Sequence, residues 1–334
     1  MRYANVENLF NYSGSCRSRR NVNIDRLGGL NNKPDVSQET RERIERIAVE
    51  IGYIKNNAVS ILRGNTSNTV GVMFDSDLDQ FFAEVLKGIE KRARKARYQI
   101  VLMNYAGSGE EEIRTLLEKR VDGLLIIPSW ENLEAIEKLS KTDLPLVVIG
   151  RFIKNIRSDE IHTDDVKGGI LATNFLIDKG CRNLLMINGP RENSAARMRY
   201  EGFSEAVSSS RIEVRSKEIM LHKTGYRPGY FVIKEIFSRG ERFDGVFCFN
   251  DLTAFGVITA LKEMGIKVPE EVSVVGYDNI EFSGIFSPAL TTVNIGKEKI
   301  GYEAFKMLLE RIDGKRQEVK RKALDVDLVI RESA

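Results

Sequence analysis

Histidine and cysteine are scarce in this chain of 334 residues, which holds 2 His and 3 Cys. His162 and His222 stand in no recognisable acid–base or metal arrangement, so histidine catalysis has little to build on, and core or surface roles fit them better. Cys16, Cys181 and Cys248 are spaced for neither a disulfide framework nor a zinc site. Cys181 and Cys248 lie in or beside apolar runs and read as structural. No run approaches the roughly 18 apolar residues of a membrane span, and Met1 to Phe10 lacks the charged, apolar, small order of an export signal. The expected location is the cytoplasm, with no membrane partner. No G-x-x-x-x-G-K-[ST] loop occurs, and Gly107-Ser108-Gly109 is too short a glycine match to mean dinucleotide binding. A sugar kinase or dehydrogenase is therefore disfavoured, and no catalytic residue, metal or cofactor is assigned. The net charge of +3 argues for no nucleic-acid partner by itself, but Arg and Lys crowd between Arg17 and Arg63, which hints at an anionic partner for that piece.

What the chain does have is 42% hydrophobic and 30% charged residues, enough length for two or three globular domains and no bias toward disorder. From Thr69 onward, short apolar runs rich in β-branched residues alternate with amphipathic stretches of helical length, the rhythm of a parallel α/β sheet. The runs are Thr69–Phe74, Tyr98–Asn104, Val121–Pro128, Leu144–Gly150, Leu184–Asn188, Lys217–Leu221, Phe243–Asn250, Ser273–Asp278, Leu290–Ile295 and Leu324–Ile330. Helical patterns between them include Phe81–Lys95, Glu110–Glu118, Gly168–Lys179, Arg197–Val207, Leu252–Met264 and Lys297–Ile312. About ten strands exceed one comfortable doubly wound sheet, so two such lobes are expected, with ligands held between them at the carboxyl ends of strands. Before Thr69 the texture changes: Gln38–Ile51 is a charged helix pattern with Ile44, Ile47, Ala48 and Ile51 on one apolar stripe, and Ala58–Arg63 suggests a brief second helix.

Asn31-Asn32-Lys33-Pro34-Asp35-Val36-Ser37, followed by Glu39-Thr40-Arg41 and Gly52-Tyr53, resembles the third helix of a LacI/GalR headpiece. The effector domain of that family is echoed by Gly71-Val72, Phe81-Phe82-Ala83-Glu84, Arg120-Val121-Asp122-Gly123, Asn250-Asp251, Val268-Pro269, Ser273-Val274-Val275-Gly276-Tyr277-Asp278 and Leu290-Thr291-Thr292-Val293. So many motifs in order, from about residue 31 to the C-terminus, make chance agreement implausible.

The resemblance implies an α/β fold of two doubly wound parallel-sheet lobes, periplasmic-binding-protein-like, with a small N-terminal helical DNA-binding head that is incomplete here. The expected divisions are a head over 1–52, a hinge over 53–68, and an effector domain over 69–334. Three crossings near Ile161, Leu290 and Leu324 would split the last into 69–161 with 291–323, and 162–290 with 324–334. The implied function is a DNA-binding regulator, a repressor of a sugar or related metabolite operon: a homodimer on palindromic operator DNA, controlled by a sugar-type effector between its lobes. The alternative is an export-type sugar-binding protein or a sensor without DNA binding.

Residues 1–30 depart from the family pattern. A helix-turn-helix needs two short helices, yet Asn11–Leu27 shows no apolar helical face. One reading is a divergent basic arm that holds phosphates. The other is a frameshift, natural or from sequencing, across roughly residues 11–29: with AGY serine and CGN arginine codons, reading one nucleotide later permits TIAEVA and then TSTSTVS, close to the missing motif. The nucleotide sequence decides between them.

By the same resemblance, DNA contacts fall to Ser37 and Tyr53, with Asn56, Val59 and Leu62 in a hinge helix whose leucine wedges between base pairs. The plain alternative is that Val59 and Leu62 pack on the core or the dimer mate. The resemblance also implies the effector candidates Asp79, Phe81, Arg199, Tyr226, Asn250 and Asp278, each just beyond an expected strand end, with Trp130 and Arg151 as further pocket candidates. Each has a bland counterpart. Asp79 and Asn250 can cap the helices that follow them. Arg199 can pair with Glu201 on a solvated face. Trp130 can be a surface loop residue.

Overall fold

The computed structural model divides into two compact units, residues 1–65 and 66–334. It describes residues 66–334 apart from 76–79, 106–108, 129–132, 152 and 154–155, together with four exposed helical positions, Glu39, Glu42, Arg43 and Arg46. Residues 1–30, whose sequence departs from the family pattern, and the candidate residues Ser37, Tyr53, Asn56, Val59, Leu62, Asp79 and Trp130 lie outside the described residues.

The second unit has two six-stranded sheets. The first takes β1 (Thr69–Asp75), β2 (Gln99–Tyr105), β3 (Gly123–Ile127), β4 (Leu146–Ile149), β5 (Asp159–Thr163) and β11 (Arg321–Leu324), in the order β11-β5-β4-β3-β1-β2. All its pairings are parallel. The second takes β6 (Asn183–Asn188), β7 (Arg215–Met220), β8 (Gly245–Cys248), β9 (Ser273–Asp278), β10 (Thr291–Asn294) and β12 (Asp327–Val329), in the order β12-β10-β9-β8-β6-β7. Only the β10 to β12 pairing is antiparallel. Parallel strands are covered by helices on both faces, which is why β4 and β8 are unbroken apolar runs with every residue buried.

Among the described residues, eight α-helices cover the sheets: α1 (Gln80–Ala96), α2 (Glu110–Glu118), α3 (Leu133–Ser140), α4 (Asp165–Asp178), α5 (Ser194–Ser208), α6 (Tyr226–Ser238), α7 (Asp251–Glu263) and α8 (Lys297–Ile312). On α1, Phe82, Val85, Ile89 and Ala93 recur at helical spacing and face inward. The helices pack in pairs, α1 with α8, α4 with α5 and α6 with α7. At each crossing two glycines let the backbones touch. A Cβ at Gly88 would lie 1.9 Å from the Glu298 carbonyl oxygen and one at Gly301 2.0 Å from that of Val85; Gly169 and Gly202, and Gly229 and Gly256, serve the other two crossings alike.

The chain leaves the first lobe after β5, returns to it after β10, and leaves again after β11. The return is not near Leu290, where the sequence places it. Thr291–Asn294 pairs with β9 on one side and β12 on the other, so the apolar run stays in the second sheet. The boundary falls at Gly296, whose φ of 62° turns the chain into α8. Residues 291–294 therefore belong to the second lobe. The run Leu324–Ile330 is likewise split, its first residue closing β11 in one sheet and Asp327–Val329 forming β12 in the other.

Strand β5 has no apolar signature, for it reads DEIHT. Asp159 and Glu160 are nonetheless fully buried. Arg316 forks onto both Asp159 oxygens, and Arg321 Nε lies 3.1 Å from Glu160 Oε2. Charge pairing replaces hydrophobicity as the reason this segment is inside.

Candidate functional site

The carboxyl ends of the second lobe's central strands carry a cluster built around Arg199 on α5. Asn193 caps that helix, its side chain accepting from the Ala195 amide, and Arg199 lies one and a half turns in, only 6% exposed. Its Nε donates to Asp165 Oδ1 at 2.9 Å, Nη1 donates to the Phe249 carbonyl, and Nη2 lies 3.9 Å from Asp278 Oδ1. The guanidinium carbon sits 3.5 Å from the Tyr277 ring centroid and 4.5 Å from that of Phe249, so the two rings hold its plane.

Each partner arrives from a different element. Asp165 opens α4, directly after the first crossing, where Asp164 caps the helix through the Lys167 amide. Phe249 follows β8; Tyr277 and Asp278 end β9. Room for the Tyr277 ring depends on Gly168, where a Cβ would lie 2.2 Å from the phenol oxygen.

The electrostatics follow from burial. Desolvation alone would lower the Arg199 pKa, but the charges of Asp165 and Asp278 and the hydrogen bond to Asp165 outweigh it, and the value is raised. Burial, with the charge of Asp165 behind it, pushes the Tyr277 phenol well up, so the ring stays neutral. One cation thus faces two carboxylates. Asp165 is almost completely buried, whereas the Asp278 side chain is 14% exposed and faces the edge of the cluster.

Asp278 and Asn279 both have left-handed backbone, at φ 102° and 51°. Such residues cost on the order of 1–3 kcal/mol each unless their surroundings hold them. Here Lys297 Nζ donates to both carbonyls, at 2.5 and 2.7 Å, and Arg331 donates to the Asn279 side chain at 2.8 Å. Behind them, buried Asp251 accepts from the Ile280 amide, the Ser283 hydroxyl and the Thr292 hydroxyl. Burial raises its pKa to about 6, against the lowering effect of those hydrogen bonds.

Of the sequence-derived candidates, Arg199 and Asp278 meet in this cluster. Arg199 pairs with Asp165 in the interior rather than with Glu201 on a solvated face. Asn250 caps α7: its Oδ1 accepts from the Thr253 amide at 2.9 Å and hydroxyl at 2.7 Å, and that hydroxyl accepts from the Gly225 amide. Tyr226 follows Gly225, 43% exposed, its ring stacked 6.4 Å from Tyr230 on the same helix. Phe81 and Arg151 are half-buried in the first lobe, on α1 and just beyond β4. Phe81 is next to Gln80, whose Oε1 accepts from the Phe282 amide and whose Nε2 donates to Glu281, both at 3.3 Å, so the start of α1 reaches the segment after Asp278.

Sequence reasoning missed Asp165, Phe249, Tyr277 and Lys297. The available signal was adjacency, since Phe249 and Tyr277 immediately precede the candidates Asn250 and Asp278. Asp165 and Lys297 carried none, because a first-turn Asp and a helical Lys read as ordinary solvated charge. Among the described residues no group of His, Cys, Asp and Glu could hold a metal ion, and no helix is long and apolar enough to cross a membrane.

Residues 67–332 match the family of periplasmic binding proteins and sugar binding domain of LacI family. The HTH-type transcriptional repressor PurR of Vibrio parahaemolyticus is 34% identical over 306 residues, covering 90% of this chain and 92% of that one. Among solved structures, the transcriptional regulator CelR–cellobiose complex is 27% identical at a TM-score of 0.73, covering 92% of this chain and 94% of its own. A LacI family transcriptional regulator from Enterococcus faecium with bound ribose is 29% identical at a TM-score of 0.71, covering 79% and 98%. With two doubly wound lobes joined by three crossings and a family match over most of its length, this chain is a member of the LacI family with a periplasmic-binding-protein-like effector domain.

Proposed function

We propose that the protein is a transcriptional repressor whose hold on operator DNA is controlled by a small neutral polyhydroxylated effector, a sugar, bound between the two lobes. The observation that carries this reading is the pairing of Arg199 with Asp278 at the strand ends. A guanidinium edge that only donates stands beside a carboxylate that only accepts, and a hydroxyl does both. Two vicinal hydroxyls therefore satisfy the pair, with charge-assisted hydrogen bonds on each side. The relatives in complex with cellobiose and ribose support a ligand of this class. Phe81 and Arg151, with Asp79 and Trp130, supply the first lobe's side of the cleft. Asn250 and Tyr226 supply the rim of the second.

In this reading, effector closes the lobes, shifts the dimer interface formed by the first lobe and biases the hinge between folded and unfolded forms. Coupling between sites of this kind is typically about 1–3 kcal/mol. The protein acts as a homodimer on a two-fold symmetric site, with Ser37, Tyr53, Asn56, Val59 and Leu62 facing DNA. If residues 11–29 are translated as given, the recognition helix is missing, and attraction to phosphates replaces base-specific binding.

The test is a thermal-shift and calorimetric screen of wild type, Asp278→Ala and Arg199→Leu against free sugars including ribose and cellobiose, followed by gel shift on palindromic DNA. A sugar that binds wild type and fails to bind Asp278→Ala is the expected result. Equal binding to both overturns the site.

A further inference from the structure

Lys297 is the one lysine among the described residues whose side chain is buried, at 2% exposure. An ammonium has three donors and no acceptor, and here it meets three acceptors. Two are the carbonyls of Asp278 and Asn279 in the second lobe; the third is Glu84 Oε2 at 3.3 Å, on α1 of the first lobe. The charge thus sits at the junction of the lobes, on the first residue of α8, where the second crossing ends. Its surroundings contrast with Lys91 on the same helix pair, which meets Glu298 with both side chains at least half exposed. Exposed pairs of that kind contribute little.

The same stretch of the second lobe has another link to α1. Gln80 bonds Phe282 and Glu281, and Glu84 lies one turn further along the helix, so both side chains share the face turned toward residues 278–282. From the first lobe, α1 holds this segment at two points.

We propose that Lys297 is a positioning residue: with Glu84 it fixes the left-handed turn that aims the Asp278 carboxylate, and so ties the orientation of the effector-contacting carboxylate to the first lobe. This rests on Asp278 being an effector ligand. The physical reason is the backbone. Two successive left-handed non-glycine residues relax toward ordinary φ unless their carbonyls are held, and when they relax the Asp278 side chain leaves Arg199. Glu84 is the part of this device that moves with the first lobe, so rotation of one lobe against the other loads or relieves the turn through one ammonium.

Amide hydrogen exchange on the full chain, without effector, tests this through the Asn279 and Ile280 amides, which bond Thr292 and Asp251. Glu84→Gln, in the first lobe, is expected to speed exchange of those second-lobe amides by about fivefold, and Lys297→Met by about tenfold or more. The double variant should match Lys297→Met alone, because both act through one ammonium. Lys297→Arg should recover part of the protection, and Lys299→Met, two residues along and exposed, should change nothing. An effect of Glu84→Gln confined to α1, or strictly additive effects, overturns the proposal. A purely local structural role for Lys297 predicts that additive outcome. If Lys297→Met does not fold, Glu84→Gln and Lys297→Arg still decide, since the device requires the first-lobe change at Glu84 to speed exchange of the Asn279 and Ile280 amides. No sugar enters the experiment, so its failure is distinct from failure of the effector screen.

Discussion

Asp251 makes the pH dependence of stability testable at one atom pair. Its side chain is completely buried, and burial raises its pKa from 3.8 to about 6 in spite of three hydrogen bonds received from Ile280, Ser283 and Thr292. A folded pKa above the unfolded one means that the native state binds the proton more tightly. The contribution is therefore fully present below about pH 4 and is lost as pH rises through about 6. A displacement of about two pH units corresponds to about 3 kcal/mol between pH 4 and pH 7.5. In Asp251→Asn the amide oxygen can accept from Ile280 and Ser283 while the amide nitrogen donates to Thr292, whose hydroxyl then acts as acceptor. The geometry survives and the titration disappears. Urea unfolding of both proteins across that range should show the stability difference, variant minus wild type, rising with pH by about 3 kcal/mol, equivalent to about 6 °C in Tm for a domain of this size. A difference that stays flat, or falls as pH rises, refutes the assignment of a strained buried carboxylate beneath the Asp278 turn.

Three further outcomes are expected. Asp165→Ala leaves the Arg199 guanidinium buried without its 2.9 Å partner and should cost about 3–5 kcal/mol in denaturant unfolding, whereas Asp165→Asn, which keeps an acceptor, should cost less. Gly301→Ala puts a Cβ 2.0 Å from the Val85 carbonyl at the α1 to α8 crossing and should lower stability by about 1–3 kcal/mol or more; an unchanged melting curve would deny that the helices touch there. Asn250→Ala removes the cap of α7 and should cost about 1 kcal/mol by chemical denaturation, with Asn250→Asp close to wild type, because only the side-chain oxygen serves the Thr253 amide.

Legibility in the sequence followed hydrophobicity. The apolar runs that became β1, β3, β8 and β9 are visible because parallel strands covered on both faces need unbroken apolar residues, and α1 is visible because a one-sided helix repeats its apolar residues at helical spacing. Strand β5 is not, since its interior position depends on Arg316 and Arg321, about 160 residues away in the chain. The return crossing was misplaced for a related reason: the run Leu290–Ile295 is apolar in either lobe, and only its pairing with β9 and β12 assigns it.

The candidate site divides in the same way. The family resemblance nominated Arg199 and Asp278, and local order along the chain was enough to read Asn250 as a helix cap. That Asp165, 34 residues before Arg199, shares its guanidinium, that Tyr277 and Phe249 clamp it, and that Lys297 joins the lobes beneath Asp278 depended on the packing of separate elements. By itself the sequence determined the rhythm of strands and helices, because periodicity is written along the chain. Tertiary structure alone decided which charges face one another, because the energy of a buried charge is set by whatever lies within a few ångströms of it, and those neighbours come from distant parts of the chain.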